Sequence, residues 1–230
     1  MATKFKLCSF KTCPWVHRAA IVLQEKGIEY ELEYIDRNNR PDWFLAISPH
    51  SKVPVLIVDE DRALFESNAI AEFLDENAEP RLHPEDSIKR ARNRAWVENI
   101  RDFSEEVRGL YYANTKEEFD AVLEKTPGQF QKMETAIKED RDNDGPYFNG
   151  PDLCMVDASY APFLRRFKLV DRSIESGLLE KFPLLSAWAD ALEKNDAISG
   201  SLPANFEEEF LAMLQRNNRY VCSIWKDAAA

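Results

Sequence analysis

Glycine is scarce in this chain, at 7 of 230 residues, and histidine scarcer, at 3. Four cysteines occur, at positions 8, 13, 154 and 222, with no CxxC pair and no metal-ligand spacing to the histidines. Free thiols in a reducing compartment are therefore expected rather than a disulfide framework or a metal centre. No apolar run approaches the roughly 18 residues of a membrane span. Residues 1–7 carry two lysines and no apolar stretch, so they do not read as a secretion signal, and the cytosol is the expected compartment. Dense Lys/Arg clusters are absent as well. With a net charge of -11 the surface repels nucleic acid and anionic lipid, which excludes both as expected partners. Arg90, Arg92 and Arg94 have Glu85, Glu98 and Glu105 near them and read as a solvated mixed face. There is no internal repeat and no low-complexity stretch.

What is present is ordinary core material, 44% hydrophobic, patterned in two ways. Residues 4–8 alternate as a short strand does. Pro14 suits the first turn of a helix that Gly27 ends. A strand over 29–35, a short helix over 41–47, a strand over 53–58, a turn at 59–61 and a strand over 63–65 follow. Ser67 then caps a helix to about Asn77. The order is β-α-β-α-β-β-α, which predicts a parallel pair from the βαβ half and a hairpin from the ββ half. Two prolines, Pro80 and Pro84, mark a linker at 79–85 between a domain at 1–78 and one at 86–230. The second part is helical throughout: 86–113, 116–140, 155–168, 175–181, 184–195 and 206–216, with a break at 143–146 and a tail from 217.

Cys13 is the residue that promises chemistry. At a strand-loop-helix junction a thiol faces unpaired N–H groups and the positive end of the helix dipole, which favours thiolate. His17 or Arg18 could add positive potential. The position where a dithiol motif carries its second cysteine holds Val16, so resolution of a mixed disulfide needs an outside thiol, and glutathione is the abundant one. Cys8 reads as core, Cys222 as incidental and His17 as a surface residue of the helix. His50 and His83 fall in loops.

The segments Cys13-Pro14-Trp15-Val16-His17-Arg18, Arg40-Pro41-Asp42-Trp43-Phe44, Lys52-Val53-Pro54-Val55-Leu56 and Phe65-Glu66-Ser67-Asn68-Ala69-Ile70 together resemble the cytosolic glutathione S-transferases, and within them the omega-like cysteine class. The resemblance is close over the first domain and looser over the second. It implies an α/β plus all-α fold: an N-terminal thioredoxin-like domain (βαβαββα) followed by a C-terminal helical bundle. It implies catalysis by Cys13, glutathione as co-substrate and no metal. Val53 and Pro54 resemble the pair that meets the cysteinyl unit of the peptide, with the proline cis. Glu66 and Ser67 look like the pair that holds the γ-glutamyl end, Ser67 at a helix N-terminus where a carboxylate is favoured. Lys52 is placed to meet the glycyl carboxylate.

The same resemblance implies thiol transfer, deglutathionylation or dehydroascorbate-type reduction on a small hydrophobic or disulfide acceptor, and a homodimer. Between the domains, Trp96, Tyr111, Tyr112, Phe163, Arg166 and Trp188 are the acceptor-site candidates. Two alternatives stay open. One is a glutathione-dependent lyase or dehalogenase acting on an aromatic or ether substrate. The other is a non-enzymatic binding protein of the same fold, of the type associated with RNA polymerase. The family's helix-capping segment is matched by 150–157, except that Cys154 stands where Ser or Thr is usual, a weaker acceptor. Ser48 stands where related sequences often have Asn.

Overall fold

The computed structural model describes residues 3–141 and 144–226. Asn143 of the 143–146 loop and the last four residues of the tail lie outside the described residues.

Strands β1 (Phe5–Ser9), β2 (Glu31–Tyr34), β3 (Val55–Val58) and β4 (Arg62–Phe65) form one sheet in the order β2-β1-β3-β4. The β1–β2 pair is parallel, with Leu7 opposite Leu32; β3 runs antiparallel to both β1 and β4. The parallel crossover is made by helix α1 (Pro14–Glu25), and α2 (Asp42–Ile47) and α3 (Ser67–Asn77) complete the layer. Gly27, at φ +60°, closes α1: its N–H bonds Gln24 O and the Ile28 N–H bonds Leu23 O, the paired bonds of a Schellman motif. In the β3–β4 hairpin, Asp59 and Glu60 both take positive φ, which the primed hairpin turns require.

The rest is helical: α4 (Ser87–Tyr112), α5 (Lys116–Asp140), α6 (Met155–Ile174), α7 (Pro183–Lys194), α8 (Asp196–Gly200) and α9 (Phe206–Arg216). An α-helix over 175–181 is not formed. Glu175 turns left-handed and Gly177 sits at φ +60°, leaving only a 3₁₀ turn at Leu179–Lys181. Helix α6 instead runs past residue 168, because Leu169 and Val170 are buried and Lys168 is held by Asp190 and Glu193. The expected tail is in part packed structure. Val221 is buried in a 3₁₀ turn, the Tyr220 N–H bonds Ala113 O, and the Lys226 N–H bonds Ser173 O.

Helix α1 is the pivot. Every residue from Val16 to Leu23 is buried, because the helix packs against α3 on one side and against α6 and α8 on the other. A helix apolar nearly all round is one enclosed by protein, and this enclosure sets the chain at Cys13 between the two layers. A second tie holds the start of the linker: the buried Lys26 ammonium meets the Asp75 carboxylate at 2.9 Å and the carbonyls of Ala78 and Pro80.

Candidate active site

Cys13 occupies the N-cap position of α1, with Pro14 at the first helical position and no side-chain capping hydrogen bond. The thiol is half-buried. Desolvation pushes it above the ordinary cysteine value, against the backbone N–H groups of Val16 and Trp15 and the positive charges of Arg166 and Arg37, which pull it down. The expected lowering is thus not reached. The positive charge comes from residues distant in sequence rather than from the neighbours His17 and Arg18. His17 is no surface residue: it is 2% exposed, Nε2 meets the Ile198 carbonyl at 3.2 Å, and burial drives its pKa well below the usual histidine range. Of the other thiols, burial raises Cys8 to about 11, Cys154 well above the ordinary value, and Cys222 upward. None of these three has an arginine among the groups acting on its thiol; Cys13 has two.

A cleft of about 320 Å³ opens beside α1. Lys52, Val53, Pro54, Glu66 and Ser67 all line it, together with Trp15, Arg18, His50 and Asn68. Cys13 is not on its wall; the nearest wall residue in sequence is Trp15. The Val53–Pro54 peptide bond is cis. The approach to it is fixed by Ser48, whose hydroxyl donates to Lys52 O at 2.8 Å and accepts from the Lys52 N–H at 2.9 Å. Ser67 is the first residue of α3 rather than its cap; the cap position belongs to Glu66, whose side chain makes no capping bond. The N–H groups of that helix end are left for a ligand. Glu66 is held at φ 66°, ψ 117°, a region that costs a non-glycine residue about 1–3 kcal/mol and that clusters at ligand clamps.

The acceptor candidates are placed differently. Tyr111, Phe163 and Trp188 are fully buried and Arg166 is 1% exposed, while Trp96 and Tyr112 are half-buried; none lines the cleft. Phe163 packs edge-on beneath Trp15 at 4.9 Å, Tyr111 packs on Phe210, and Trp96 packs on Phe148. The Trp188 indole N–H donates to Asp157, a buried carboxylate that also accepts from the backbone N–H groups of Phe148 and Cys154. These aromatics build the helical core. Arg166 reaches the loop before Cys13, by its hydrogen bond to Thr12 O at 3.0 Å.

Residues 12–77 match the model of the glutathione S-transferase N-terminal domain, and residues 112–191 that of the C-terminal domain. Glutathione S-transferase L1 of Arabidopsis thaliana is 31% identical over 189 residues, 80% of this chain and 75% of that protein. The chain belongs to the glutathione S-transferase family. Glutathione S-transferase omega-1 of Mus musculus is 27% identical over 95% of this chain and 89% of its own length. The Tau class glutathione S-transferase of mango, Mangifera indica, superposes with a TM-score of 0.78 at 26% identity, covering 92% of this chain and 98% of that one.

In this transferase the far wall of the cleft is helix α4, presenting Val97, Glu98, Ile100, Arg101, Ser104, Glu105 and Arg108. The sequence reading did not assign these residues to the site. The spacing 97, 101, 104, 108 is one face of a helix, and that face was the available signal. Among the described residues, no group of three or more His, Cys, Asp and Glu side chains could hold a metal ion, and no helix is long and apolar enough to cross a membrane.

Proposed function

We propose that this family member is a glutathione-dependent thiol transferase and reductase working through a mixed disulfide at Cys13. The observation that carries the reading is the isolation of that thiol. It stands at a helix N-terminus, with two backbone N–H groups and two arginines favouring its thiolate. Val16, not a second cysteine, lies one turn on. A hydroxyl at this position can only stabilise the thiolate of glutathione; a thiol can itself be glutathionylated.

The cycle has two exchanges. The Cys13 thiolate attacks the glutathionyl sulfur of a mixed disulfide. The old S–S bond breaks, the acceptor leaves as a thiolate that takes up a proton, and Cys13 holds glutathione. A second glutathione, as thiolate, attacks the glutathionyl sulfur, releasing oxidised glutathione and restoring Cys13. One disulfide is reduced and one is formed, so the electrons balance.

Lys52, the Val53 backbone before Pro54, Glu66 and Ser67 are the groups we assign to glutathione. Their presence on one cleft wall supports this. Trp15, on the same wall, continues the chain from Cys13. Burial outweighs the two backbone N–H groups and the two arginines and holds the thiol above its ordinary value, so turnover is expected to rise with pH as the thiolate fraction grows. A cytosolic location and a homodimer belong to the same reading; gel filtration checks the second. The test of activity is turnover of a glutathione mixed disulfide by the wild type, absent in Cys13→Ser. Conjugation or ether cleavage persisting in that variant would favour the lyase reading. Failure to bind immobilised glutathione would favour a binding protein without catalysis.

A further inference from the structure

The charges in the cleft exceed what glutathione uses. That peptide brings two carboxylates and one ammonium, which the reading above matches to Lys52, to Ser67 with the open end of α3, and to Glu66. Three arginines on the same walls remain: Arg18, Arg101 and Arg108, against Glu98 and Glu105. Among the described residues none of the three forms a salt bridge or a side-chain hydrogen bond. Arg18 is 2% exposed, with Nε and Nη2 buried and unpartnered; burial draws its guanidinium down to about 10. Arg108 Nε is also buried without a partner. A chain of net charge -11 thus gathers three arginines beside the groups assigned to glutathione, and none of the three has a carboxylate partner among the described residues. A guanidinium on a cleft wall without a carboxylate partner is a ready site for a ligand carboxylate.

The wall also argues against an apolar acceptor. On α4, Val97, Ile100 and Ser104 are each no more than 2% exposed, so that side offers charged groups, while Phe65, 41% exposed, and Trp15 are the apolar surface across the cleft. An apolar molecule laid against α4 would strip water from arginines and glutamates on that side.

We propose that the acceptor of this transferase is anionic: a carboxylate-bearing thiol compound in mixed disulfide with glutathione, its carboxylate met by Arg108. Arg101, two turns back on the same face of α4 and so about 10 Å along the axis, adds to the field. Arg108 lies over the Tyr112 ring at 5.3 Å. The Arg166 guanidinium, bonded to Thr12 O, interacts electrostatically with both Tyr112 and Cys13. This inference rests on the thiol-transfer reading and narrows its substrate.

The test uses three mixed disulfides of glutathione, with mercaptoacetate, 2-mercaptoethanol and cysteamine, so that acceptor charge runs from negative through neutral to positive. KM and kcat are measured for the full chain at pH 7, in low and in high salt. The KM for the mercaptoacetate compound is expected to be about fivefold below that for the neutral one, the size of one part-screened ion pair, and to lose that advantage in salt. Arg108→Gln brings the ratio of the two KM values toward one, and Arg108→Lys keeps part of it. Equal KM values across the wild-type series, or the lowest value for cysteamine, would overturn the proposal even if the variants fail to fold. Turnover of none of the three would defeat the thiol-transfer reading itself, and this inference with it.

Discussion

Arg166 Nη2 donates to the carbonyl oxygen of Thr12 at 3.0 Å, so a helix of the second domain grips the loop one residue before Cys13. The same guanidinium donates from Nη1 to Pro162 O within its own helix and lies 4.7 Å from the centre of the Phe206 ring. It is 1% exposed, in a place where a charge needs partners to persist. Its position ties the electrostatics of the thiol to the docking of the helical layer.

Replacing Arg166 by Met therefore acts on Cys13 through charge. Burial already holds the thiol above its ordinary value, and Arg166 opposes that rise. Its loss moves the thiol further up. The rate of alkylation by iodoacetamide, which follows the thiolate fraction, shifts its rise to higher pH and falls several-fold at pH 8. Stability drops by about 1–3 kcal/mol as Thr12 O loses its partner. Arg166→Lys keeps the charge but not the two-pronged contact, and falls between.

His17 makes stability sensitive to mild acid. Its folded pKa lies well below the usual histidine value, so the unfolded chain binds the proton first as pH falls. The neutral ring's contribution is complete above about pH 6.5, the unfolded value, and is lost progressively below it. Urea midpoints measured at pH 7 and pH 5 should differ less in His17→Gln than in the wild type.

Glu66 separates stability from binding. Its positive φ is one that glycine adopts freely. Glu66→Gly is expected to leave the thermal midpoint unchanged or raise it, while the KM for glutathione rises about tenfold with loss of the carboxylate assigned to the ammonium. A lower thermal midpoint would mean that the side chain is structural.

At the start of α6 the opposite holds. Cys154 sits at the cap position, where a thiol accepts poorly, while Asp157 Oδ2 accepts the Cys154 N–H at 2.7 Å. Cys154→Ser should add about 0.5–1 kcal/mol in urea unfolding, with no change in glutathione KM.

Much of this architecture was legible in the chain. The periodicity of α4 and α5 gave both helices to within about two residues, and the short spacing of β3 and β4 gave their hairpin. The grouping of Lys52, Val53, Pro54, Glu66 and Ser67 on one cleft was implied by the resemblance of their motifs to the family. What escaped was long-range. Tyr111, Phe163 and Trp188 are aromatic and between layers, and a pattern of apolar residues cannot say whether such a ring faces a cleft or the core behind it. Arg166 and Arg37 act on Cys13 through the fold alone, while His17 and Arg18, adjacent in sequence, turn elsewhere. Arg101 and Arg108 were given no role, because the helical spacing 97, 101, 104, 108 marks a face but not what that face packs against.

The central claim is that Cys13 carries the covalent intermediate. Intact mass after exposure of the full chain to oxidised glutathione tests it most directly. The account predicts the gain of one glutathionyl group, reversed by reduced glutathione and absent in Cys13→Ser. An adduct that persists in that variant would place the chemistry on Cys8, Cys154 or Cys222 and contradict the account.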